Sequence, residues 1–440
     1  MPAEFTKTIT VRPATALEGV VRVPGDKSIS HRYAMLAALA EGVTRISHYA
    51  PGNDCQSTLS CLEQLGTVVS RHAGFDRDTG AEVPTVQIVG RGLRGLQSSA
   101  ADLNCGNSGS TLRMLAGVLA AHPFTSVLTG DASLRRRPML RVVTPLQAMG
   151  AQVTSFNGRP PVSVTGGALQ AITYRPETPS AQVKTAVLLA GLQTDGVTTF
   201  EEPAGTRDHT ERALRAFGAI VEVHGHVIRV SGQQPLTGRS VTVPGDPSSA
   251  AFWACAAAAL PGSFLELRDV GLNPSRTAIF DVLRRFGADI DVQVDRIDAE
   301  EPVGRVRVRH QALRRVELTP ADVPGLIDEL PVLAALATHG GELRVTGAGE
   351  LRAKESDRIT ALVNGLRALG ADADELPDGF HVRGSRRLLG GQADAADDHR
   401  LAMAFAVAGL GGLEPTVIQG ADAVNVSYPG FFDVLAALRK

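Results

Sequence analysis

The sequence contains one fragment twice, Val23-Pro24-Gly25-Asp26 and Val243-Pro244-Gly245-Asp246, and the two copies stand half a chain length apart. Each copy leads into a serine-containing start and an alanine-rich apolar run, KSISHRYAMLAALA and PSSAAFWACAAAAL. Self-similarity at a fixed offset indicates a repeated architecture. We therefore expect a duplicated body with two similar lobes, although length alone would suggest about three domains.

A shorter pattern, an apolar helical segment that ends in glycine, recurs within each half. Its glycines are Gly66, Gly150, Gly218, Gly287 and Gly370, and two pairs of them stand at nearly the same offset as the duplicated fragment. Glycine in this place predicts a left-handed helix C-cap. The alternating segments that follow, such as AIVEV after Gly218, predict strands. The pattern predicts an α/β fold with three copies of the smaller unit in each half.

The composition restricts the class of protein that this sequence can encode. Hydrophobic residues make up 43% and charged residues 20%, which is typical of a soluble globular protein. The net charge of −2 gives no support for nucleic-acid binding. Four cysteines lack metal-ligand spacing, so we expect buried thiols and no metal. The N-terminus lacks a signal-peptide pattern, and the longest apolar run, Ala250 to Leu260, is too short to span a membrane. We expect a cytoplasmic protein without a membrane partner.

The first duplicated fragment carries charges that the second lacks. Lys27, Ser28 and Arg32 follow Asp26, whereas Pro247, Ser248 and Ser249 follow Asp246. A Pro-Gly turn that opens a helix presents free N–H groups and hydroxyls to an anion. Lys27 and Arg32 would make such a helix start a phosphate or carboxylate site. A capped helix with surface cations is the alternative for this segment taken alone.

Further polar helix starts occur in the first half. The segment Asn104 to Thr111 is a small, glycine-containing entry to an apolar helix, with Arg113 on its first turn, and three arginines precede Pro138. Glycine here allows a ligand to approach the backbone closely. Anion-binding residues on these and the later starts would include Asn107, Gly109, Arg137, Ser180, Gln182, Lys184 and Arg207. Taken singly, a plain connection is the commoner explanation for the glycine-containing segment and a solvated loop for the arginine run, whereas Lys184 beside so apolar a helix is harder to explain in this way.

The second half supplies carboxylates at corresponding places. An offset that matches that of the two fragments to within one residue relates Asn107 to Asp328 and Arg135 to Glu355. An acidic residue in the apolar pattern GLIDELPVLAALA would be costly to bury without a partner. If the two lobes face each other, helix starts from both would surround Asp328 and Glu355 with cations, namely Lys27, Arg32, Arg113, Arg137, Lys184, Arg207, Lys354, Arg358 and Arg400. Such a cleft should attract strongly anionic substrates.

A set of longer motifs resembles a known family. VPGDKSISHR, GNSGSTLR, GDASLRRRPM, SAQVKTAVLLAGL, TRDHTE, VPGDPSSAAF, DELPVLA, LRAKESDRI and DHRLAM occur in this order between about Val23 and Pro429. Together they resemble the 5-enolpyruvylshikimate-3-phosphate synthase family, and the forms SAQVK and TRDHTE resemble its class II subgroup. The resemblance implies two lobes, each of three βαβαββ units, in an inside-out α/β barrel fold. Residues 1–22 with 243–440 would form the first lobe and residues 23–242 the second, joined by two hinge crossings at the Pro-Gly pairs.

The resemblance also implies an activity and roles for individual residues. The family transfers the enolpyruvyl group of phosphoenolpyruvate (PEP) to the 5-hydroxyl of shikimate 3-phosphate, without a metal or redox cofactor. By this resemblance Asp328 is the base, Glu355 the acid, and Lys27 lies between the substrates. Residues implied to contact shikimate 3-phosphate are Ser28, Arg32, Ser180, Gln182, Arg207 and Lys354. Those implied to contact PEP are Asn107, Gly109, Arg137, Arg358 and Arg400.

One position departs from the pattern of the family that the sequence resembles, and a second bears on inhibition. Some members have a lysine two residues before the aromatic-proline pair near the C-terminus, whereas Val426 stands there in this sequence, so that contact is unassigned. Gly109 stands where the resemblance implies glycine or alanine, and glycine leaves room for the competitive inhibitor glyphosate. We therefore expect glyphosate sensitivity.

Two other functions are consistent with parts of the pattern. UDP-N-acetylglucosamine enolpyruvyl transferase uses PEP on the same fold, but that family resembles SGAKNA at the first motif and carries a reactive cysteine in the loop occupied here by DASLRRRPM. A non-catalytic anion-binding scaffold would keep the arginines and use the carboxylates only as their partners. We expect a monomer with open ligand-free and closed ligand-bound forms, because two lobes that enclose one site need no partner subunit.

Overall fold

The structure is a computed structural model that describes residues 7–75, 82–385 and 387–440. Its contacts divide the chain into two compact units. The first unit comprises Met1–Pro24, Gly245–Arg296 and Pro302–Lys440, and the second comprises Gly25–Pro244 with Ile297–Glu301. The chain changes unit within both duplicated Pro-Gly pairs. The grouping of Ile297–Glu301 with the second unit has no signal in the sequence pattern.

The described residues form twelve α-helices, six in each unit. The helices are α1 Lys27–Leu39, α2 Asn53–Gln64, α3 Gly109–Leu119, α4 Leu140–Ala148, α5 Ala181–Gly191, α6 His209–Ala216, α7 Pro247–Ala259, α8 Ala278–Phe286, α9 Leu330–Ala337, α10 Arg358–Ala368, α11 His399–Gly409 and α12 Phe431–Leu438.

Short strands separate the helices throughout the described part of the chain. The first fourteen are β1 Ile9–Val11, β2 Glu18–Arg22, β3 Glu41–Ser47, β4 Val68–Phe75, β5 Glu82–Arg91, β6 Leu103–Asn104, β7 Thr125–Thr129, β8 Gln152–Phe156, β9 Arg159–Thr165, β10 Thr173–Tyr174, β11 Val197–Glu201, β12 Val221–His224, β13 Val227–Ser231 and β14 Ser240–Thr242. The others are β15 Phe264–Gly271, β16 Asp289–Asp298, β17 Glu301–Arg309, β18 Arg315–Leu318, β19 Glu342–Val345, β20 Asp372–Leu376, β21 Gly379–Arg383, β22 Gly391–Asp394 and β23 Thr416–Gln419.

Five four-stranded sheets share one strand order, which confirms the repeated βαβαββ unit. In the order β6-β7-β9-β8, the first strand is parallel to the second and the other neighbours are antiparallel. The same order holds for β10-β11-β13-β12, β18-β19-β21-β20, β14-β3-β5-β4 and β2-β15-β17-β16. Parallel neighbours need a crossover connection, and a helix supplies it between β6 and β7, between β10 and β11 and between β18 and β19.

The two strands that precede the duplicated helices pair in the unit that the chain is leaving. Strand β2 leads into α1 but pairs with β15, with Glu18 opposite Phe264. Strand β14 leads into α7 but pairs with β3, with Ser240 opposite Arg45. Each half of the sequence thus supplies a leading strand to a sheet formed mainly by the other half.

The sixth sheet has three strands, β1-β23-β22. Strands β22 and β23 are parallel, like the first two strands of the other sheets. Strand β1 then pairs antiparallel with β23, with Ile9 opposite Ile418. The N-terminal strand therefore takes the position that a hairpin strand from the same repeat occupies in the other sheets.

Each unit has a core of helices that are buried on nearly all sides. Every residue of α7 is buried, and α9 and α11 are buried along their whole length. Helices α7, α9 and α11 pack against one another, as α3 does against α1 and α5 in the second unit. A helix without a polar face can only be stable inside a core. The remaining helices bury one face, so the alanine-rich runs of the sequence mark the buried helices.

The predicted glycine C-caps are confirmed. Gly66, Gly150, Gly218, Gly287 and Gly370 have φ values between 82° and 102°, in the left-handed region that glycine adopts without a Cβ penalty. The four cysteines are free and buried, as their spacing predicted. Among the described residues, no helix combines the length and the hydropathy that a membrane-spanning helix needs.

Candidate functional site

The first turn of α1 places Lys27 against an acidic partner in the second unit. The Asp26 side chain caps the helix by accepting from the backbone N–H of Ile29 at 2.9 Å. Lys27 is the first helical residue, and its Nζ lies 3.0 Å from Oδ2 of Asp54 near the start of α2. Both side chains are largely buried, so the pair is screened less than a surface ion pair. Asp54 therefore holds the predicted catalytic lysine in place.

Arg32 lies on α1, four residues after Ser28. Its guanidinium donates to the carbonyl oxygen of Ser28 at 2.8 Å, to Oγ1 of Thr185 at 2.8 Å and to Oγ1 of Thr210 at 2.7 Å. Thr185 belongs to α5 and Thr210 to α6, so the buried guanidinium connects three helices. Its predicted contact with shikimate 3-phosphate stays a prediction.

Two guanidinium groups meet at the start of α3. A methyl group added to Gly109, the first residue of that helix, would lie 2.7 Å from Nη1 of Arg113 and 3.3 Å from Nη1 of Arg137. The Arg137 guanidinium donates to Oδ1 of Asn107 at 2.6 Å. Helix N-termini and arginines both favour anions. The structure thus brings Asn107, Gly109 and Arg137 together with Arg113, another of the cations predicted from the helix starts.

The start of α5 is joined to this group through Gln182. Its Oε1 accepts from Nη1 of Arg113 at 2.7 Å, and its Nε2 donates to Oγ of Ser110 at 2.8 Å. Ser180 caps α5 by accepting from the backbone N–H of Val183 at 3.4 Å. Arg207 lies half-buried in the loop before α6. The geometry therefore connects Gln182 with the Gly109 region.

Lys184 differs from the expectation that it is a ligand-facing cation. Its side chain is completely buried, and Nζ lies 2.6 Å from Oε1 of Glu211 and 3.1 Å from Oε1 of Glu202. An ammonium group is tolerated in a protein interior only when carboxylates compensate its charge. Lys184 is therefore a structural ion-pair residue, because two carboxylates inside the second unit already bind its ammonium group.

In the first unit, the predicted acid and base lie against one arginine. Arg358, the first residue of α10, is buried, and its Nη2 is hydrogen-bonded to Glu355. Its Nη1 lies 3.7 Å from Oδ1 of Asp328. Nε donates to Oδ2 of Asp398 at 2.6 Å. A single guanidinium thus organises three carboxylates.

Arg400 holds Asp328 from a second direction. Its Nη1 donates to the backbone carbonyl of Asp328 at 2.9 Å, and its Nη2 lies 3.6 Å from the Asp328 carboxylate. The Asp398 side chain also caps α11, because Oδ1 accepts from the backbone N–H of Arg400 at 2.9 Å. Burial lowers the pKa of the Arg358 guanidinium, but the charges of Asp398, Glu355 and Asp328 outweigh burial, so its pKa is raised overall. Arg358 is always a cation.

Sequence reasoning missed some of the residues that organise the two groups. Asp54 and Asp398 hold Lys27 and Arg358, and neither was singled out as a site residue. An aspartate directly before an apolar helix is a capping signal, and Asp398 carried it. Lys354, which was predicted to contact shikimate 3-phosphate, has its Nζ 3.0 Å from Oε1 of Glu350. That role of Lys354 stays a prediction.

Comparison with known proteins identifies the family. A sequence model of the family described as EPSP synthase (3-phosphoshikimate 1-carboxyvinyltransferase) matches residues 11–435. The chain is 48% identical over 435 residues to 3-phosphoshikimate 1-carboxyvinyltransferase of Desulforudis audaxviator, covering 98% of this chain and 99% of that protein. It is 50% identical over 430 residues to the protein of the same name from Pelotomaculum thermopropionicum, covering 97% of each.

A solved structure is similar along almost the whole chain. The EPSP synthase of Acinetobacter baumannii superimposes with a TM-score of 0.85 at 40% sequence identity, covering 99% of this chain and 98% of that chain. The α/β fold predicted from the repeats is thereby confirmed. The chain belongs to the EPSP synthase (3-phosphoshikimate 1-carboxyvinyltransferase) family.

Proposed function

We propose that this chain transfers the enolpyruvyl group of PEP to the 5-hydroxyl of shikimate 3-phosphate, releases phosphate, and thereby serves aromatic amino-acid biosynthesis. Family membership over residues 11–435 supports this reaction. The observation that carries the mechanism is the position of Asp328 and Glu355 against the same buried guanidinium of Arg358. Two carboxyl groups with different surroundings are what a paired acid and base require.

Asp328 acts as the base and Glu355 as the acid. Asp328 lies within 4 Å of two guanidinium groups, those of Arg358 and Arg400, which fix the position of its carboxylate. Glu355 protonates the methylene carbon of PEP, and the neighbouring carbon becomes electrophilic. The shikimate hydroxyl attacks that carbon while Asp328 accepts its proton. The tetrahedral adduct then returns a methyl proton to Glu355 and expels phosphate, which takes up the proton held by Asp328, so both carboxyl groups regain their starting states.

The cations stabilise the anionic groups of both substrates. The residues assigned to PEP are Asn107, Gly109, Arg137, Arg358 and Arg400. Planar guanidinium groups match carboxylate and phosphate oxygens, which supports this assignment. Residues that bind shikimate 3-phosphate are Ser28, Arg32, Ser180, Gln182, Arg207 and Lys354. Lys27, held by Asp54, contacts both substrates and stabilises the departing phosphate.

A phosphate-release assay tests the function directly. The protein is incubated with PEP and either shikimate 3-phosphate or UDP-N-acetylglucosamine. We expect turnover on the order of 1–10³ per second with shikimate 3-phosphate and none with the sugar nucleotide. Release with the sugar nucleotide alone would favour the second enolpyruvyl transferase family. Release with neither would favour an anion-binding scaffold.

The proposal also includes a cellular location and an oligomeric state for the enzyme. The enzyme works in the cytoplasm, where PEP is available, and it works as a monomer. Microscopy of a tagged protein in its own cells tests the location. Sedimentation of the purified protein with and without both substrates tests the assembly, and a stable dimer would contradict the monomer.

A further inference from the structure

Two contacts between α1 and α2 lie one helical turn apart. The outer contact is the ion pair between Lys27 and Asp54, at 3.0 Å. Four residues further along each helix, Nδ1 of His31 lies 2.7 Å from Oγ1 of Thr58. Residues four apart share one face of a helix at a spacing of about 6 Å along the axis. The buried contact therefore fixes the distance between the two helices directly beneath the ion pair.

The inner contact continues to α3. Oγ1 of Thr58 lies 2.7 Å from Oγ1 of Thr111, and Thr111 donates to Oγ of Ser108, the N-cap of α3, at 2.8 Å. All four side chains are buried. We call His31, Thr58, Thr111 and Ser108 the hydrogen-bond chain. It connects the helices that carry Lys27, Asp54 and Gly109.

The direction of the hydrogen-bond chain follows from the number of protons. Thr111 directs its single hydroxyl proton to Oγ of Ser108 at 2.8 Å, with the carbonyl oxygen of Asp54 at 3.4 Å as the alternative acceptor, so in either case Thr111 accepts from Thr58. Thr58 then has no proton left for His31 and must accept from it. Nδ1 of His31 therefore carries a proton, while Nε2 has no hydrogen-bond partner among the described residues. This places the imidazole in one neutral tautomer.

We propose that His31, acting through Thr58, is a positioning residue that fixes the Lys27–Asp54 pair relative to the Asn107–Gly109 loop during enolpyruvyl transfer. Thr58 bonds to the residue one turn beyond Lys27 and to the residue two positions beyond Gly109. The carbonyl oxygen of Asp54 lies 3.4 Å from Oγ1 of Thr111, so α2 and α3 are also close at the level of the ion pair. Misplacement of reacting groups by a fraction of an ångström slows chemistry more than it weakens binding. This inference rests on the proposed function.

Thr58→Val tests the inference, because valine keeps the shape of threonine and removes the hydroxyl. We expect kcat for phosphate release to fall about tenfold with both KM values within about twofold of wild type. Thr58→Ser restores the hydroxyl and should recover most of kcat. The matched control is Thr44→Val. Thr44 is also fully buried, but its hydroxyl has no hydrogen-bond partner within the described part of the chain, so kcat of this variant should equal that of wild type.

These measurements distinguish a failure of the positioning role from a failure of the proposed enolpyruvyl transfer. Wild-type turnover with unchanged kcat in Thr58→Val, or a loss that Thr58→Ser does not recover, would contradict the positioning role alone. No turnover in wild type would contradict the function itself. The ¹⁵N spectrum of histidine-labelled wild type gives a second test that does not depend on how Thr58→Val folds. The His31 signals, identified by their absence in His31→Asn, should show a protonated Nδ1 and a bare Nε2, and the opposite tautomer would overturn the inference.

Discussion

The guanidinium of Arg358 and the carboxylate of Asp398 form a completely buried ion pair, with Nε 2.6 Å from Oδ2. Asp398 also caps α11 through its other oxygen, so one side chain fixes both Arg358 and the backbone of Arg400. Two of the three arginines assigned to PEP, Arg358 and Arg400, therefore share one anchor. This anchor lies outside the set of residues that the family motifs assign to substrates.

Replacing Asp398 should lower the stability of the fold and also weaken the binding of PEP. Asp398→Asn leaves the Arg358 charge without its most deeply buried partner, and breaking a buried pair costs about 3–5 kcal/mol. We expect the free energy of unfolding to fall by about that amount and the KM for PEP to rise more than the KM for shikimate 3-phosphate. Urea unfolding and initial rates measure the two effects. The exposed neighbour Asp397, changed to Asn, is the control and should behave like wild type.

Gly109 should govern sensitivity to glyphosate. In Gly109→Ala the new methyl group would lie 2.7 Å from Nη1 of Arg113, so that guanidinium must move. We expect wild type to be inhibited competitively against PEP, and the variant to show an inhibition constant at least tenfold higher with a smaller rise in the KM for PEP. Inhibition curves at several PEP concentrations measure both. Wild-type inhibition only at millimolar glyphosate would contradict this reading of Gly109.

Lys184 should matter for stability and little for binding. Lys184→Met leaves Glu211 and Glu202 without their buried cation, which should lower the free energy of unfolding by about 3–5 kcal/mol. At temperatures where the variant stays folded, both KM values should remain within about twofold of wild type. The double variant Lys184→Met with Glu211→Gln should recover part of the stability. A large rise in the KM for shikimate 3-phosphate would show instead that Lys184 contributes to substrate binding.

His31 should make the fold less stable in acid. Burial, with smaller contributions from Lys27 and Arg32, lowers its pKa to about 3, against an opposing effect of Asp26. The unfolded chain binds a proton at His31 below about pH 6.5, whereas the folded protein does not until about pH 3, so stability falls as the pH falls between these values. From pH 7 to pH 5 the loss should be about 2 kcal/mol. Urea unfolding at both pH values should show that loss reduced in His31→Asn and unchanged in the exposed His224→Asn.

The duplicated fragment and the recurring glycines were sufficient to predict the α/β class, the repeats and the helix ends. These features depend on local preferences: an alanine-rich run without a polar face has to be buried, and a glycine after it can take a positive φ. The predicted helix starts at Lys27, Gly109 and Arg400 are confirmed to within about two residues.

Pairings between distant segments could not be predicted in the same way. The exchange of β2 and β14, and the use of β1 to complete the sixth sheet, depend on which edges remain open after the repeats have packed. The roles of Lys184 and Asp398 depend on partners 27 and 40 residues away. A charge at the start of an apolar helix has the same sequence pattern whether it faces a ligand or a buried counter-ion.

The central claim is that Asp328 and Glu355 perform proton transfer. Asp328→Asn and Glu355→Gln keep the shape of each side chain and remove its carboxylate. The most direct measurement is single-turnover phosphate release from PEP and shikimate 3-phosphate, together with calorimetric binding of both substrates. The account predicts a loss of at least 10²-fold in the rate for each variant, with affinities within about fivefold of wild type. Turnover at the wild-type rate in either variant would contradict it.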